Sequence, residues 1–403
     1  MGRIGILSGT FDPVHIGHIA VARACLEHLH LDKVLLAPYG RPLARRPMAA
    51  PQHRLELLKL ACAGEKGIEV STVDLPEAPR YAIDTVKAVS LEYPGQEIVC
   101  IVGADKLPDI PHWREARTLY GACTFAAYPR AGHDARALSE ALQSEGAMVE
   151  ALPGREVNIS SSQVRAKLRL LSDAPGLLLP ELAAYIAAHG LYQPDYTGMV
   201  RQAVSASRFA HSLGVRAVGA RLALLHGAPI MKAGVAGILH DCAKCMELSR
   251  LKAIAAKGRL QVSPQAMNSN ALLHGPVGAL IAKLRYHIYD EDILAAIRSH
   301  TTGRAGMSAL EMVIFVADAI EPNRKAYPGL QALRAQAEEN LLQAALLALQ
   351  GTRDMITFRG GVYSPLSAQA IGDLEKRLAR NTASKEEMHD RARTGASYRK
   401  GPV

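Results

Sequence analysis

Six side chains able to hold a metal recur along the second half of the sequence: His211, His240, Asp241, His274, His300 and Asp318. They fall in the words RFAHSLGV, GILHDCAK, LLHGPVG, AIRSHTTG and VADAIEP. Each word lies on or at the end of an apolar, helix-periodic run, where an imidazole or carboxylate is costly unless paired or ligated. A single histidine on an apolar face is usually a satisfied core residue, and a mid-helix aspartate is often a cap. Six such positions over five segments argue instead for one shared centre. Four imidazoles with two carboxylates form a mixed nitrogen and oxygen set, suited to iron, manganese or zinc rather than calcium. With six protein ligands, two transition-metal ions are expected rather than one, bridged by Asp241. Read as adjacent helix residues, His240 and Asp241 point about 100° apart, so other helices must converge on them. Lys244 and Arg208 lie beside ligands and are candidates for phosphate contacts, although either could equally be a surface charge. Cys242 and Cys245 have no second cysteine pair to complete a zinc site and are expected to pack in the core.

A different chemistry is written at the N-terminus. The stretch SGTFDPVHIGH, residues 8–18, runs from an apolar strand pattern into a helical one. A strand, a small-residue turn and a helix N-terminus together build an anion site, because free N–H groups and the helix dipole both favour negative charge. His15 and His18, three apart on the first helical turn, can face the same ligand. A second stretch, NISSSQVRAKL at 158–168, places serines ahead of Arg165 and forms a second phosphate clamp; alone it would read as a serine cap with a surface arginine. Between the two, IVGADKLPDIPHW at 101–113 follows a strand pattern and ends in the sole tryptophan.

The elements that must position these groups come in two styles. In the first 190 residues, short apolar runs (RIGILSG, DKVLLAPY, QEIVCIVGA, CTFAAYP) alternate with helical patterns such as IAVARACLEHLH and HRLELLKLACA. That alternation predicts βαβ units and a mostly parallel sheet. From Met199 to about Leu349 the periodicity is helical throughout, which predicts an all-α domain. No window approaches the ~18 apolar residues of a membrane span. The start MGRIGILSGT lacks the layout of a signal peptide and reads as a buried strand. Six cysteines, mostly in apolar runs, read as reduced core thiols of a cytosolic protein. The net charge of +9 suits small polyanions better than nucleic acid, since aromatics make up 5% and base-stacking surfaces are poorly supplied.

SGTFDPVHIGH resembles the signature of the nucleotidylyltransferase superfamily, whose T/H-x-G-H motif appears as HIGH. NISSSQVRAKL resembles that superfamily's ISSTxIR motif, with Ser162 in the threonine position. IVGADKLPDIPHW is similar to the GADxL…W segment of nicotinate-nucleotide adenylyltransferases, and the resemblance spans roughly residues 3–192. It implies transfer of AMP from ATP to nicotinate mononucleotide, giving nicotinate adenine dinucleotide and pyrophosphate for NAD biosynthesis. Catalytic roles are implied for His15, His18 and Arg165, with Mg²⁺ carried in by ATP. Nucleotide contacts are implied for Ser8, Gly9, Thr10, Phe11, Gly17, Gly103, Asp105, Ser160 and Ser161, and substrate contacts for Thr85 and Trp113. Two departures bear on the acceptor. The family's P-P-H-K segment reads APYGRPLARRPM, leaving Arg41, Arg45 and Arg46 to supply the missing cation, and its S-Y-T reads RYAIDT, which keeps Thr85 alone. Another phosphorylated acceptor, such as phosphopantetheine, therefore stays open.

The order H…HD…H…H…D resembles the HD-domain phosphohydrolases. Its local words, over about residues 195–350, are similar to the bacterial symmetrical diadenosine-tetraphosphate (Ap4A) hydrolases. That resemblance implies cleavage of Ap4A to two ADP by metal-assisted attack of hydroxide on phosphorus, with iron as the metal. A nucleotidase, an alarmone hydrolase or a non-catalytic nucleotide sensor are the alternatives. The expected molecule is a bifunctional cytoplasmic enzyme acting on small nucleotides, with no nucleic-acid or membrane partner and with a homo-oligomer left open. It has a Rossmann-like α/β domain at 1–192, a linker at 193–198, an all-α HD bundle at 199–379 and a flexible charged tail at 380–403.

Overall fold

The computed structural model describes residues 2–42, 47–75, 81–153 and 158–396, with side chains to residue 382. Its contacts divide the chain into two units, Met1–Ala183 and Ala184–Val403.

The first unit alternates as its sequence predicts: β1 (Arg3–Gly9), α1 (Ile16–His28), β2 (Lys33–Pro38), α2 (Pro51–Cys62), β3 (Ile68–Val70), α3 (Ala82–Glu92) and β4 (Glu97–Gly103). A 3-10 helix (Ala104–His112) follows, then α4 (Ala116–Ala122), β5 (Thr124–Tyr128), α5 (Ala135–Ser144), β6 (Val149–Ala151) and α6 (Ser161–Arg169). The six strands form one parallel sheet in the order β3-β2-β1-β4-β5-β6, the Rossmann-like arrangement expected. Alternate residues of the central strands (Ile4 and Ile6, Leu35 and Ala37, Ile98 and Cys100, Phe125 and Ala127) share a core with Ile83, Val86 and Val89 of α3. Strand order reverses between β1 and β4, and in such sheets the ligand crevice lies beyond the carboxyl ends of the strands at that reversal. Gly9 and Gly103 end those two strands, so SGTFDPVHIGH and GADKL both start there.

α7 (Pro180–His189) carries the chain into the second unit. That unit is helical: α8 (Tyr196–Arg201), α9 (Ala206–His226), α10 (Ile230–Leu239), α11 (Leu248–Lys257), α12 (Pro264–Met267) and α13 (Asn270–Arg285). The remainder is α14 (Glu291–Ser299), α15 (Ala309–Ile320), α16 (Leu330–Glu339), α17 (Leu341–Phe358) and α18 (Pro365–Ala396). Apart from Lys232, every residue of α10 is buried, and α9, α14 and α15 pack around it. Two glycines allow close helix–helix approaches. A Cβ on Gly237 would lie 2.8 Å from the Arg216 backbone on α9, and one on Gly275 would lie 2.9 Å from the Arg298 carbonyl on α14. Among the described residues, no helix is long and apolar enough to cross a membrane.

Three local expectations change. The two periodic runs 200–214 and 216–227 merge largely into the single helix α9, because no breaker separates them. Residues 193–198, read as a linker, include the start of α8, with Asp195 as its cap and Tyr196 buried. Residues 380–396, read in the sequence as a charged tail without secondary structure, are helical and continue α18.

Candidate functional site

In the first unit, α1 begins directly beyond the turn after β1. His15 caps it: the His15 N–H donates to Nδ1 of His18 at 3.2 Å, and the two rings stack with centroids 3.7 Å apart. Phe11 packs edge-on against His18 at 4.9 Å. His15 Nδ1 is buried with no hydrogen-bond partner among the described residues. Burial first, and the Arg130 guanidinium second, push the His15 imidazole down to about 4; burial likewise lowers His18. Both rings are thus neutral at pH 7 and able to donate a hydrogen bond to an incoming anion. They line a small cavity with Leu7, Gly17, Tyr128 and Arg130.

Against the same turn packs α6. Ser160 caps it through the Gln163 N–H, so this serine plays the structural role that the isolated motif suggested. Ser161 Oγ donates to the Pro13 carbonyl at 2.8 Å, and Arg165 donates to the Asp12 carbonyl at 2.6 Å and to Ser162 Oγ at 3.1 Å. Arg165 is therefore held against the SGTFDPVHIGH turn, 153 residues away in sequence. Asp105 lies in the first turn of the 3-10 helix after Gly103, with its Oδ1 3.7 Å from Arg130 Nε.

The acceptor-side expectations fare unevenly. Thr85 is buried and donates to Asp74 Oδ1 at 2.7 Å; Ser8 Oγ lies 3.4 Å from the other oxygen of that carboxylate. Trp113 is half-buried against the core cluster. Arg41 is exposed, while Arg45 and Arg46 lie outside the described residues. Several shaping residues were absent from the expectation. Asp12 accepts from the Met48 and Ala49 N–H groups at 2.8 and 3.0 Å. Arg54, fully buried, donates to the Thr10, Gly40 and Ala49 carbonyls. It shares its helix face with Leu57, Leu58 and Ala61, and a charge at that spacing was the available signal.

The second unit brings all six expected ligands together. His211 comes from α9, His274 from α13 and Asp318 from α15. His240 and His300 each follow the last residue of a helix, α10 and α14, and Asp241 lies in the turn beyond. The pair is thus not two adjacent helix residues as first read; the chain leaves the helix at Leu239 and presents both side chains inward. Two overlapping groups, His211–His240–Asp318 and His240–Asp241–His300, have donor atoms within 4.8 Å of one another. His274 joins them through Nε2, 3.0 Å from both Asp241 Oδ1 and His300 Nε2.

Proton accounting fixes the character of this centre. Nδ1 of His240 faces the Gly237 carbonyl at 2.7 Å, that of His274 the Asn270 carbonyl at 2.9 Å, and that of His300 the Ile297 carbonyl at 2.7 Å. Nδ1 of His211 faces Glu321 Oε1 at 3.0 Å. A carbonyl or carboxylate oxygen only accepts, so each Nδ1 carries the hydrogen and each Nε2 a bare lone pair. Those lone pairs point at one another, 3.2 Å apart for His211 and His240 and 3.0 Å apart for His274 and His300. Facing lone pairs repel unless a cation lies between them. Two nitrogens each about 2.1 Å from one ion, at about 90–110°, stand about 3.0–3.4 Å apart, which is the spacing found. Asp241 sits between the pairs: Oδ2 is 3.4 Å from His240 Nε2 and 3.6 Å from His211 Nε2, and Oδ1 reaches the other pair. Among the described residues, Oδ1 has no hydrogen-bond donor of proper geometry. The residues therefore fit divalent metal binding. Burial pushes His274 down to about 4, keeping it the neutral ligand a metal needs.

Cations ring this acidic and imidazole core. Arg208 pairs with Asp241 Oδ2 at 2.6 Å, Arg324 pairs with Asp318, and Lys244 Nζ lies 3.4 Å from His274 Nε2. Arg324 and Glu321 were not foreseen; both follow Asp318 within one turn or two, in the word DAIEPNR. Cys242 is buried, with Sγ toward the Gly278 carbonyl, but Cys245 is exposed, so the expected shared core packing holds for one of the two.

Residues 6–167 match the cytidylyltransferase-like family and residues 208–323 match the HD domain family. A relative from Mycoplasma genitalium, named "Probable nicotinate-nucleotide adenylyltransferase/Ap4A hydrolase", is 30% identical over 362 residues, covering 88% of this chain and 99% of the relative. A "Probable nicotinate-nucleotide adenylyltransferase" from Bordetella avium is 35% identical over 199 residues, covering 48% of this chain and 100% of the relative. Among solved structures, a "predicted HD superfamily hydrolase involved in NAD metabolism" from Clostridium acetobutylicum is 35% identical over 45% of this chain and 96% of its own, with a TM-score of 0.44.

Proposed function

This chain belongs to the nicotinate-nucleotide adenylyltransferase family, with an HD domain fused behind the transferase, and from that membership we propose one reaction for each domain. The first transfers AMP from ATP to nicotinate mononucleotide. A phosphate oxygen of the mononucleotide attacks the α-phosphorus of ATP, the new phosphoric anhydride bond forms, and the bond to pyrophosphate breaks. The protein's contribution is alignment and charge neutralisation rather than covalent chemistry. His15 and His18 donate to the phosphates from the start of α1, and Arg165, steered by the Asp12 carbonyl and Ser162, meets the charge growing on the leaving pyrophosphate. Mg²⁺ carried by ATP would supply part of that neutralisation. The observation supporting this reading is the convergence of the stacked histidines and Arg165 on one turn. Assaying the chain with ATP and either nicotinate mononucleotide or phosphopantetheine tests it: dinucleotide is expected from the first, and its absence would overturn the assignment.

The second reaction is hydrolysis of Ap4A to two ADP at a two-metal centre, with iron as the favoured metal. When bound, the ions polarise phosphoryl oxygens and supply a nucleophile at neutral pH. His211, His240 and Asp318 would hold one ion, His274 and His300 the other, with Asp241 shared. Lys244, Arg208 and Arg324 face the polyphosphate and hold its charge. The four facing Nε2 lone pairs carry this reading. Metal content and product analysis test it: ADP alone is expected, AMP with ATP would sink the symmetrical cut, and bound metal without turnover would favour a nucleotide sensor. Both reactions use small nucleotides, and a cytoplasmic location is part of the proposal.

A further inference from the structure

His300 stands at the start of the loop between α14 and α15, which a ligand could occupy only if the loop is fixed. Glu311, on α15, is 1% exposed and reaches that loop from below. Its Oε1 lies 3.0 Å from the hydroxyl of Ser299, the residue before His300. Arg304, in the same loop, grips both carboxylate oxygens at 2.6 Å, and the Ser308 N–H donates to Oε2 at 2.9 Å. One buried carboxylate thus ties together the end of α14, the middle of the loop and the cap of α15. Glu311 also lies seven residues before Asp318 on α15, two helical turns away on the same face. The element that anchors His300 is therefore the element that carries a ligand of the other ion. On the opposite side, Gly275 lets α13 close against the last turn of α14, which sets the 3.0 Å spacing of His274 and His300.

We infer that Glu311, clasped by Arg304, is a positioning residue for one half of the metal centre: it fixes His300 against His274 and Asp241, and so governs the second ion without touching it. This rests on the two-metal reading above. It makes an unequal prediction, because His211, His240 and Asp318 take their orientation from Glu321, Gly237 and α15 itself, not from the loop.

Titration of Mn²⁺ into metal-stripped full-length protein against a competing chelator tests the inference. Wild type is expected to bind two equivalents. In Glu311→Gln and Arg304→Ala one equivalent should lose about 10-fold to 100-fold in affinity, the range for removing a group that orients a ligand, while the other stays within about twofold. Arg304 is half-exposed, so its variant keeps the test open if Glu311→Gln fails to fold. Two unshifted equivalents in both variants, or an equal loss of both, would overturn the inference while leaving two metals standing. A single equivalent in wild type would overturn the two-metal reading and the inference with it.

Discussion

Glu321 accepts the Nδ1 hydrogen of His211 at 3.0 Å, on the side of the ring away from Asp318. Its other oxygen takes the Asn323 N–H at 2.7 Å, so the carboxylate cannot swing away. Replacing it with alanine should free the ring and lower metal affinity about 10-fold to 100-fold, with glutamine intermediate because its carbonyl can still accept. Chelator competition measures this; a Glu321→Ala protein that holds metal as tightly as wild type would exclude the role. Adenylyl transfer should be unchanged.

Arg54 ties three carbonyls, those of Thr10, Gly40 and Ala49, around the nucleotide turn. Arg54→Ala leaves them without their guanidinium in a buried site and should cost about 3 kcal/mol or more. The denaturation midpoint of the transferase should fall, and KM for ATP should rise, since Thr10 belongs to the turn itself. A variant of normal stability would show the clip to be dispensable.

The buried His15 ring sets a pH dependence. In the folded protein it is held down at about 4, whereas an unfolded imidazole titrates near 6.5. As pH falls, the unfolded chain takes the proton first. The stability from keeping the ring neutral is complete above about 6.5 and is lost toward pH 4, up to about 3 kcal/mol. Urea unfolding at pH 7 and pH 5 should show a smaller loss for His15→Ala than for wild type. Equal losses would count against it.

Cys242 and Cys245 should separate chemically. Burial, with Asp241 adding to it, pushes the Cys242 thiol up to about 12, leaving roughly one thiolate in 100,000 at neutral pH. Iodoacetamide at pH 7.5 should label exposed Cys245 within minutes and leave Cys242 untouched in the folded protein, as mass spectrometry of the peptide would show. Faster labelling of Cys242 would contradict the packing described.

The sequence was most legible where one pattern repeats. Alternating apolar runs located β1, β2, β4 and β5, while β3 and β6 escaped because three residues at a sheet edge carry no periodic signal. The six clustered histidines and aspartates could be picked out because polar groups in apolar helices need a reason to be there. Their supports could not. Glu321, Glu311 and Arg54 look like ordinary charges until the fold shows which carbonyl, amide or ring each one meets. Likewise, the end of α10 at Leu239 depends on the turn that buries Asp241, and nothing in ILHDCAK announces it.

Three rings of the centre are aimed by their own helices: His240 by Gly237 and His300 by Ile297, each three residues back, and His274 by Asn270, four back. The aim of these three rings is thus set locally, while the Glu321 contact to His211 and the Glu311 clasp act across the fold. A bundle built this way can reshape the helices that touch neither these words nor the two supporting carboxylates, Glu311 and Glu321, without re-aiming those donors.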